Sequence, residues 1–151
     1  MKLPIRLEQA ALKLYEAFYD QTLQPDCCHH CAVGNILDRK DFWKHFTDHH
    51  GSVRLNYVGL VHQNLGRTYS GYSPLQLLEI ESIFLRACGF ALPLRRGSTA
   101  PELTDDQLYQ ALVVTVNHLC KLEGMNDIMS ISSLDLLDRK EKTKSVHAMT
   151  A

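Results

Sequence analysis

The chain lacks the sequence features of several large functional classes. No apolar run approaches the roughly 18 residues that a membrane span requires, and residues 1–6 show no signal-peptide core. The net charge is only −1, so no basic surface for nucleic acid is expected. Phosphate-binding glycine loops and the G-x-S-x-G nucleophile motif are absent. We therefore expect a cytoplasmic protein with no membrane span and no nucleic-acid partner, and we assign no catalytic residue.

Glycine and proline are also few, at 8 and 5 of 151 residues, which leaves long stretches free to form helices. The clearest helix begins at Ser73-Pro74, an N-cap followed by proline, and ends before Gly89. A second begins at the Thr104-x-x-Gln107 capping box and ends near Gly124. The apolar spacing elsewhere predicts an all-α fold, a compact bundle of five to seven helices. We expect one domain over residues 1–137 and a polar, mobile tail over 138–151.

Weaker patterns predict the remaining elements. Apolar spacing indicates a first helix over residues 4–19, a short helix that includes 41–46 and ends by Gly51, and another over 55–66. Val53, Leu55 and Tyr57 also alternate as a strand would, so a strand remains an alternative there. A last short helix is predicted over 126–137.

The most informative feature that is present is a cluster of thiols, Cys27-Cys28-His29-His30-Cys31. The sequence predicts a helix capped by Asp26 with these cysteines in its first turns. At about 100° per residue, the three sulfurs and the His30 imidazole would then share one helix face. Thiols this dense in a cytoplasmic protein are typical of metal binding or redox chemistry.

The remaining two cysteines, Cys88 and Cys120, fall on the apolar stripes of the two best-predicted helices and should point inward. Each is either a buried core thiol or a ligand that completes the cluster, since a tetrahedral site needs four ligands. The candidate metal ligands are Cys27, Cys28, Cys31, Cys88, Cys120 and His30. Zinc and an iron–sulfur cluster both accept this set. An iron–sulfur centre would make the protein an electron-transfer accessory with a redox or other protein partner.

Two other functions remain open. Cys28 and Cys31 form a C-x-x-C pair, so a thiol–disulfide redox protein is the first alternative. A metal-free helical interaction module is the second. His45 and His49 are expected to be solvated, whereas His50, next to Gly51, could turn toward the cysteine helix.

Several short stretches resemble a family of small bacterial proteins that carry the name of a Na+-translocating NADH-quinone reductase component. The resemblance covers most of residues 1–135. It implies a family that shares all five cysteines, which favours a joint site over separate core thiols. It implies no particular reaction. The stretches are Cys27-Cys28-x-x-Cys31-Ala32-Val33-Gly34-Asn35, His50-Gly51-Ser52, Leu55-Asn56-Tyr57-Val58-Gly59-Leu60, Gly71-Tyr72-Ser73-Pro74 and Cys88-Gly89.

Overall fold

The structure, a computed structural model, describes residues 4–25, 29–90, 92 and 103–125. These residues form five α-helices and one 3₁₀ helix, and they contain no β-strand. The all-α prediction is confirmed, and the strand alternative at 53–57 is wrong. The helices are α1 Ile5–Tyr19, α2 Ala32–Ile36, the 3₁₀ helix Phe42–Phe46, α3 Tyr57–Asn64, α4 Pro74–Ala87 and α5 Asp105–Leu122.

Both predicted capping boxes are present. The Ser73 hydroxyl accepts the Gln76 backbone N–H at 3.2 Å, and the Gln76 side chain accepts the Ser73 N–H at 3.0 Å. Thr104 and Gln107 make the same reciprocal pair at the start of α5. Because each box satisfies two backbone donors that a helix leaves unpaired, it fixes where α4 and α5 begin.

One end of the bundle is held by Arg6, near the start of α1. Its guanidinium binds the Glu123 carboxylate just after α5 and the Gly71 carbonyl just before α4. It also lies over the Tyr72 ring, 4.8 Å from the centroid. We call this the Arg6 end. It contains the start of α1, the start of α4 and the end of α5, so α5 runs antiparallel to α4.

The opposite end contains the end of α1 and the start of α5, where the Phe18 and Tyr109 rings lie 5.5 Å apart. We call this the Phe18 end. The short α2 runs back from it, because the Ile36 carbonyl accepts from Lys13 in mid-α1 and from Ser70 beside the Arg6 end. The N-terminus of α2 therefore faces the Phe18 end.

The described helices share one hydrophobic core, to which α1, α2, α4 and α5 all contribute. The predicted helix over 126–137, the tail 138–151 and most of the predicted loop 92–101 lie outside the described residues. Within the described part of the chain, none of the helices combines the length and apolar character needed to cross a membrane.

Candidate functional site

Cys31 does not lie inside a helix but caps one. Its backbone is extended (φ −73°, ψ −176°), and its Sγ accepts the Gly34 backbone N–H at 3.4 Å. The side chain is fully buried. An acceptor at this position satisfies one of the backbone N–H groups that the start of a helix leaves unpaired.

The prediction that puts His30 and Cys31 in the first turns of the helix is therefore wrong, while the predicted cap, Asp26, lies outside the described residues. The helix begins at Ala32, and His29 and His30 lie in a turn before it. The Asn35 side chain holds that turn by donating to the carbonyls of His30 and Cys31. Cysteine is not among the usual N-cap residues, so the sequence pattern did not place the boundary.

Cys27 and Cys28 lie outside the described residues, but the chain on either side of them is described. The Gln24 N–H donates to the His30 carbonyl at 2.8 Å, so residues 24 and 30 are adjacent. Cys28 is three residues from Cys31, which limits their Cα separation to about 11 Å. Both thiols therefore belong to a segment whose two ends meet beside the N-terminus of α2.

A buried carboxylate lies at the same helix terminus. Glu81, in the middle of α4, is 1% exposed. Its Oε1 accepts the Val33 backbone N–H at 3.3 Å, and its Oε2 lies 3.0 Å from Nε2 of His50. The His50 ring in turn packs edge-on against Trp43, with centroids 5.5 Å apart. A thiol and a carboxylate thus bind neighbouring N–H groups of the first turn of α2.

His50 does turn toward α2, because Glu81 contacts both the His50 ring and the Val33 backbone N–H. Sequence reasoning did not identify Glu81 as part of the site. The sequence does indicate that Glu81 is buried, because position 81 falls on the inward face of α4 between the buried residues Ile80 and Phe84. A charged residue on an otherwise apolar inward face must find a polar partner, since an unpaired buried charge is costly.

Cys88 and Cys120 are both buried as predicted, each 2% exposed. They lie at opposite ends of the helix bundle, Cys88 after α4 and Cys120 in the last turn of α5. Cys120 comes three residues before the Glu123 that Arg6 binds, so it is at the Arg6 end. Cys88 directly follows the last residue of α4, a helix of 14 residues, or about 20 Å. One metal ion cannot bind both.

Of the two, Cys88 is nearer to the cysteine cluster. It lies two turns beyond Glu81 on the same face of α4, the face that contacts α2. Burial, with a smaller contribution from Glu81, raises the pKa of the Cys88 thiol to about 12. Without a metal, Cys88 therefore stays protonated at neutral pH. A coordinated metal would have to displace that proton.

His30 is half-buried beside Cys31, and its carbonyl helps to hold the turn. In the parts of the chain that the structure describes, no group of three or more His, Cys, Asp or Glu side chains could hold a metal ion. Any centre near Cys31 therefore requires Cys27 or Cys28. His45 and His49 are exposed, which confirms the prediction of solvated histidines.

Comparisons with protein-family models, with curated proteins and with solved structures find no match to this chain. The resemblance to the family named after the Na+-translocating NADH-quinone reductase stays a prediction.

Proposed function

We propose that this is a small cytoplasmic protein that binds a metal centre through cysteine thiolates at the N-terminus of α2. Cys28 and Cys31 are the principal ligands. Cys27 and Cys88 complete a set of four, and His30 is the alternative to Cys88. The observation that carries the proposal is the position of Cys31 at the helix terminus, with Cys88 toward the same end of the molecule.

The surroundings of Cys31 suit a bound cation. The backbone N–H groups of α2 stabilise negative charge on sulfur, and Glu81 adds a second anionic group at the same terminus. Carboxylates and histidines that hydrogen-bond one another commonly orient the groups around a protein metal site. His50 and Glu81 are suited to that supporting role.

The metal decides the use of the site. Zinc would be structural and would hold the segment between residues 24 and 31 against the bundle. An iron–sulfur cluster would transfer electrons, and the protein would then be an accessory to a redox partner. The set of thiolates accepts either metal.

The first alternative is a thiol–disulfide redox protein in which Cys28 is the nucleophile and Cys31 the resolving thiol. The two cysteines have the C-x-x-C spacing of this chemistry, and Cys31 lies at a helix start, where such pairs occur. The second alternative is a metal-free interaction module, which the exposed apolar face of α3 supports.

One purification separates these functions. The protein is isolated without oxygen, its visible spectrum is recorded, and bound iron and zinc are measured per chain. Visible absorption with bound iron supports a cluster, and one zinc per chain supports a structural site. Metal-free protein whose Cys28–Cys31 pair cycles reversibly between dithiol and disulfide supports the redox alternative. Metal-free protein with inert thiols contradicts both and leaves the interaction module.

A further inference from the structure

The turn that follows α2 and the turn that precedes α4 enclose a cleft. Residues between 37 and 42 supply one side of it, and residues 68–70 supply the other. Its volume is about 520 Å³, which is within the range of small-molecule sites. Neither Glu81 nor any of the described cysteines lines this cleft. It is therefore separate from the candidate metal site.

Hydrogen bonds fix both sides of the cleft. The Ser70 hydroxyl donates to the Ile36 carbonyl at 3.1 Å, which joins the second turn to the end of α2. Tyr69 and Tyr72 exchange backbone N–H bonds at 2.8 and 3.0 Å across Ser70 and Gly71. Those two residues both have a positive φ, 52° and 89°, as in the hairpin turns of type I′. The cleft is therefore formed before any ligand binds.

The backbone beside the cleft adopts conformations that side chains rarely accept. Among the described residues, four that are not glycine have a positive φ, and three of them, Asp38, Arg39 and Ser70, lie in the two turns. Glycine would adopt these angles without strain. Residues held in such conformations cluster at ligand-binding sites. The strain therefore lies where a binding site would place it.

Two aromatic rings line the cleft. Phe42 and Tyr69 are both half-buried, and their ring centroids lie 5.0 Å apart. Each ring also packs against Phe46, at 6.1 and 5.5 Å. The Tyr69 hydroxyl lies 3.3 Å from Nδ1 of His62. These contacts hold the two rings in place, and their exposed parts offer apolar surface to another aromatic ring.

Lys40 gives the cleft a positive charge. Both aspartates of the first turn already bind lysines, Asp38 to Lys13 at 3.0 Å and Asp41 to Lys44 at 2.9 Å. Lys40 is exposed, it lines the cleft, and it forms no ion pair with any described carboxylate. Its ammonium is therefore available to an anion in the cleft.

Two arginines adjoin the turns but contact other parts of the molecule. The Arg67 guanidinium donates to Nδ1 of His62 at 2.9 Å. Arg39 lines a different cleft, beside α1. Lys40 is thus the cation among the residues that line the cleft.

The lining determines which ligand chemistry fits. An aromatic ring system can pack on Phe42 and Tyr69 while its anionic group pairs with Lys40. The exposed hydroxyl of Thr68 can donate to the same group. A phosphate monoester carries close to two negative charges. With one lysine in the lining and Asp38 on the same side, a carboxylate with a single charge fits better.

We propose that this cleft binds a small aromatic monocarboxylate. The aromatic ring packs on Phe42 and Tyr69, and the carboxylate pairs with Lys40. The site is independent of the metal centre, because it lies between the C-terminal end of α2 and the start of α4, whereas Cys31 is at the N-terminus of α2.

The test is an NMR titration of the full chain. Backbone amide signals of ¹⁵N-labelled protein, with its metal content as purified, are followed while sodium 2-naphthoate is added. Two other probes are compared with it. The 2-naphthylmethylammonium ion carries the opposite charge on the same rings, and adenosine 5′-monophosphate carries a phosphate monoester. We expect saturable shifts for 2-naphthoate at residues 37–42 and 68–70, and binding of the other two probes that is weaker by about fivefold or more.

Three variants locate the binding. Lys40→Gln should weaken the binding of 2-naphthoate about fivefold, as expected for the loss of one exposed ion pair. Arg86→Gln is the matched control, because it removes one positive charge from an exposed position at the other end of α4. It should leave the affinity unchanged. Thr68→Trp fills the cleft from an exposed position and should abolish binding, while amide signals outside the two turns stay in place.

The opposite results would overturn the proposal. These are the absence of saturable shifts, shifts confined to the exposed apolar residues of α3, and an affinity that Lys40→Gln leaves unchanged. Equal binding of the cationic probe would overturn it as well, since the site would then not select an anion. Tighter binding of adenosine 5′-monophosphate would overturn the assignment of a monocarboxylate.

Discussion

Cys88 and Cys120 give the same signal in the sequence, but the fold places them in different surroundings. Each lies at the end of a strongly predicted helix, and each is 2% exposed. Cys88 follows Glu81 by two turns, on the face of α4 that contacts α2, whereas Cys120 lies in the last turn of α5, at the Arg6 end. Helical periodicity shows that a thiol points inward. Only the antiparallel arrangement of α4 and α5 shows which thiol lies toward the end of the bundle that the N-terminus of α2 faces.

The largest effect expected from this difference is on metal content. If the proposed function is correct, Cys88→Ser should abolish metal binding, because it removes one of the four proposed ligands, while Cys120→Ser should leave the metal content unchanged. Iron and zinc per chain are measured for both variants after anaerobic purification. Loss of metal from Cys120→Ser with retention in Cys88→Ser would contradict the arrangement of the helices. Retention in both would assign the fourth position to His30.

Next in size is the effect of removing the buried carboxylate. Glu81→Ala leaves the Val33 N–H and the His50 ring nitrogen without their partner inside the core. We expect the free energy of unfolding to fall by about 3 kcal/mol, as measured by urea denaturation. Glu79→Ala is the control, because Glu79 is on the same helix but only half-buried. It should cost less than about 0.5 kcal/mol. Equal losses in the two variants would mean that the buried contacts of Glu81 contribute nothing to the free energy of unfolding.

The parts of the fold that sequence could predict are those fixed by local interactions. Ser73 with Gln76, and Thr104 with Gln107, determine helix starts within four residues of chain, and both capping boxes are present. The start of α2 was predicted wrongly because a thiol caps it, with help from Asn35 and from a carboxylate 48 residues away.

The candidate site was predicted in part. The sequence predicted that His50 could turn toward residues 27–31. The local pattern indicated that Glu81 is buried, but it could not show that Glu81 contacts both His50 and α2. The same applies to the choice between Cys88 and Cys120. That choice depends on Arg6, whose ion pair with Glu123 joins residues 117 apart and sets which helix ends meet.

A smaller loss of stability is expected at the Arg6 end. Arg6→Ala removes the ion pair with Glu123, the hydrogen bond to the Gly71 carbonyl and the contact with the Tyr72 ring. Because the pair is partly exposed, at 27% and 10%, we expect a loss of about 2 kcal/mol in the free energy of unfolding. Lys13→Ala breaks the more exposed pair with Asp38 and the hydrogen bond to the Ile36 carbonyl, and it should cost about 1 kcal/mol. A larger loss for Lys13→Ala would contradict this ranking of the two ion pairs.

The last effect expected is a change in how stability depends on pH. In the folded, metal-free protein the pKa of Cys88 is about 12, against 9.0 for an ordinary thiol. Between these values the folded state holds the proton and the unfolded state has lost it. Stability contributed by Cys88 is therefore fully present below pH 9 and falls as the pH rises toward 12. Urea denaturation across this range, with reductant and chelator present, measures the slope.

Cys88→Ala and Cys88→Ser should both flatten that slope, since neither replacement titrates in the range. The two variants will differ in absolute stability, because serine places a hydroxyl where the thiol was buried and alanine leaves a small cavity. A shared change in slope with unequal stabilities would therefore isolate the titration of the thiol from its packing. Some decline above pH 10 should persist in both variants, because burial also raises the pKa of Tyr72 at the Arg6 end. An unchanged slope in both would mean that Cys88 is not held as a neutral thiol next to Glu81.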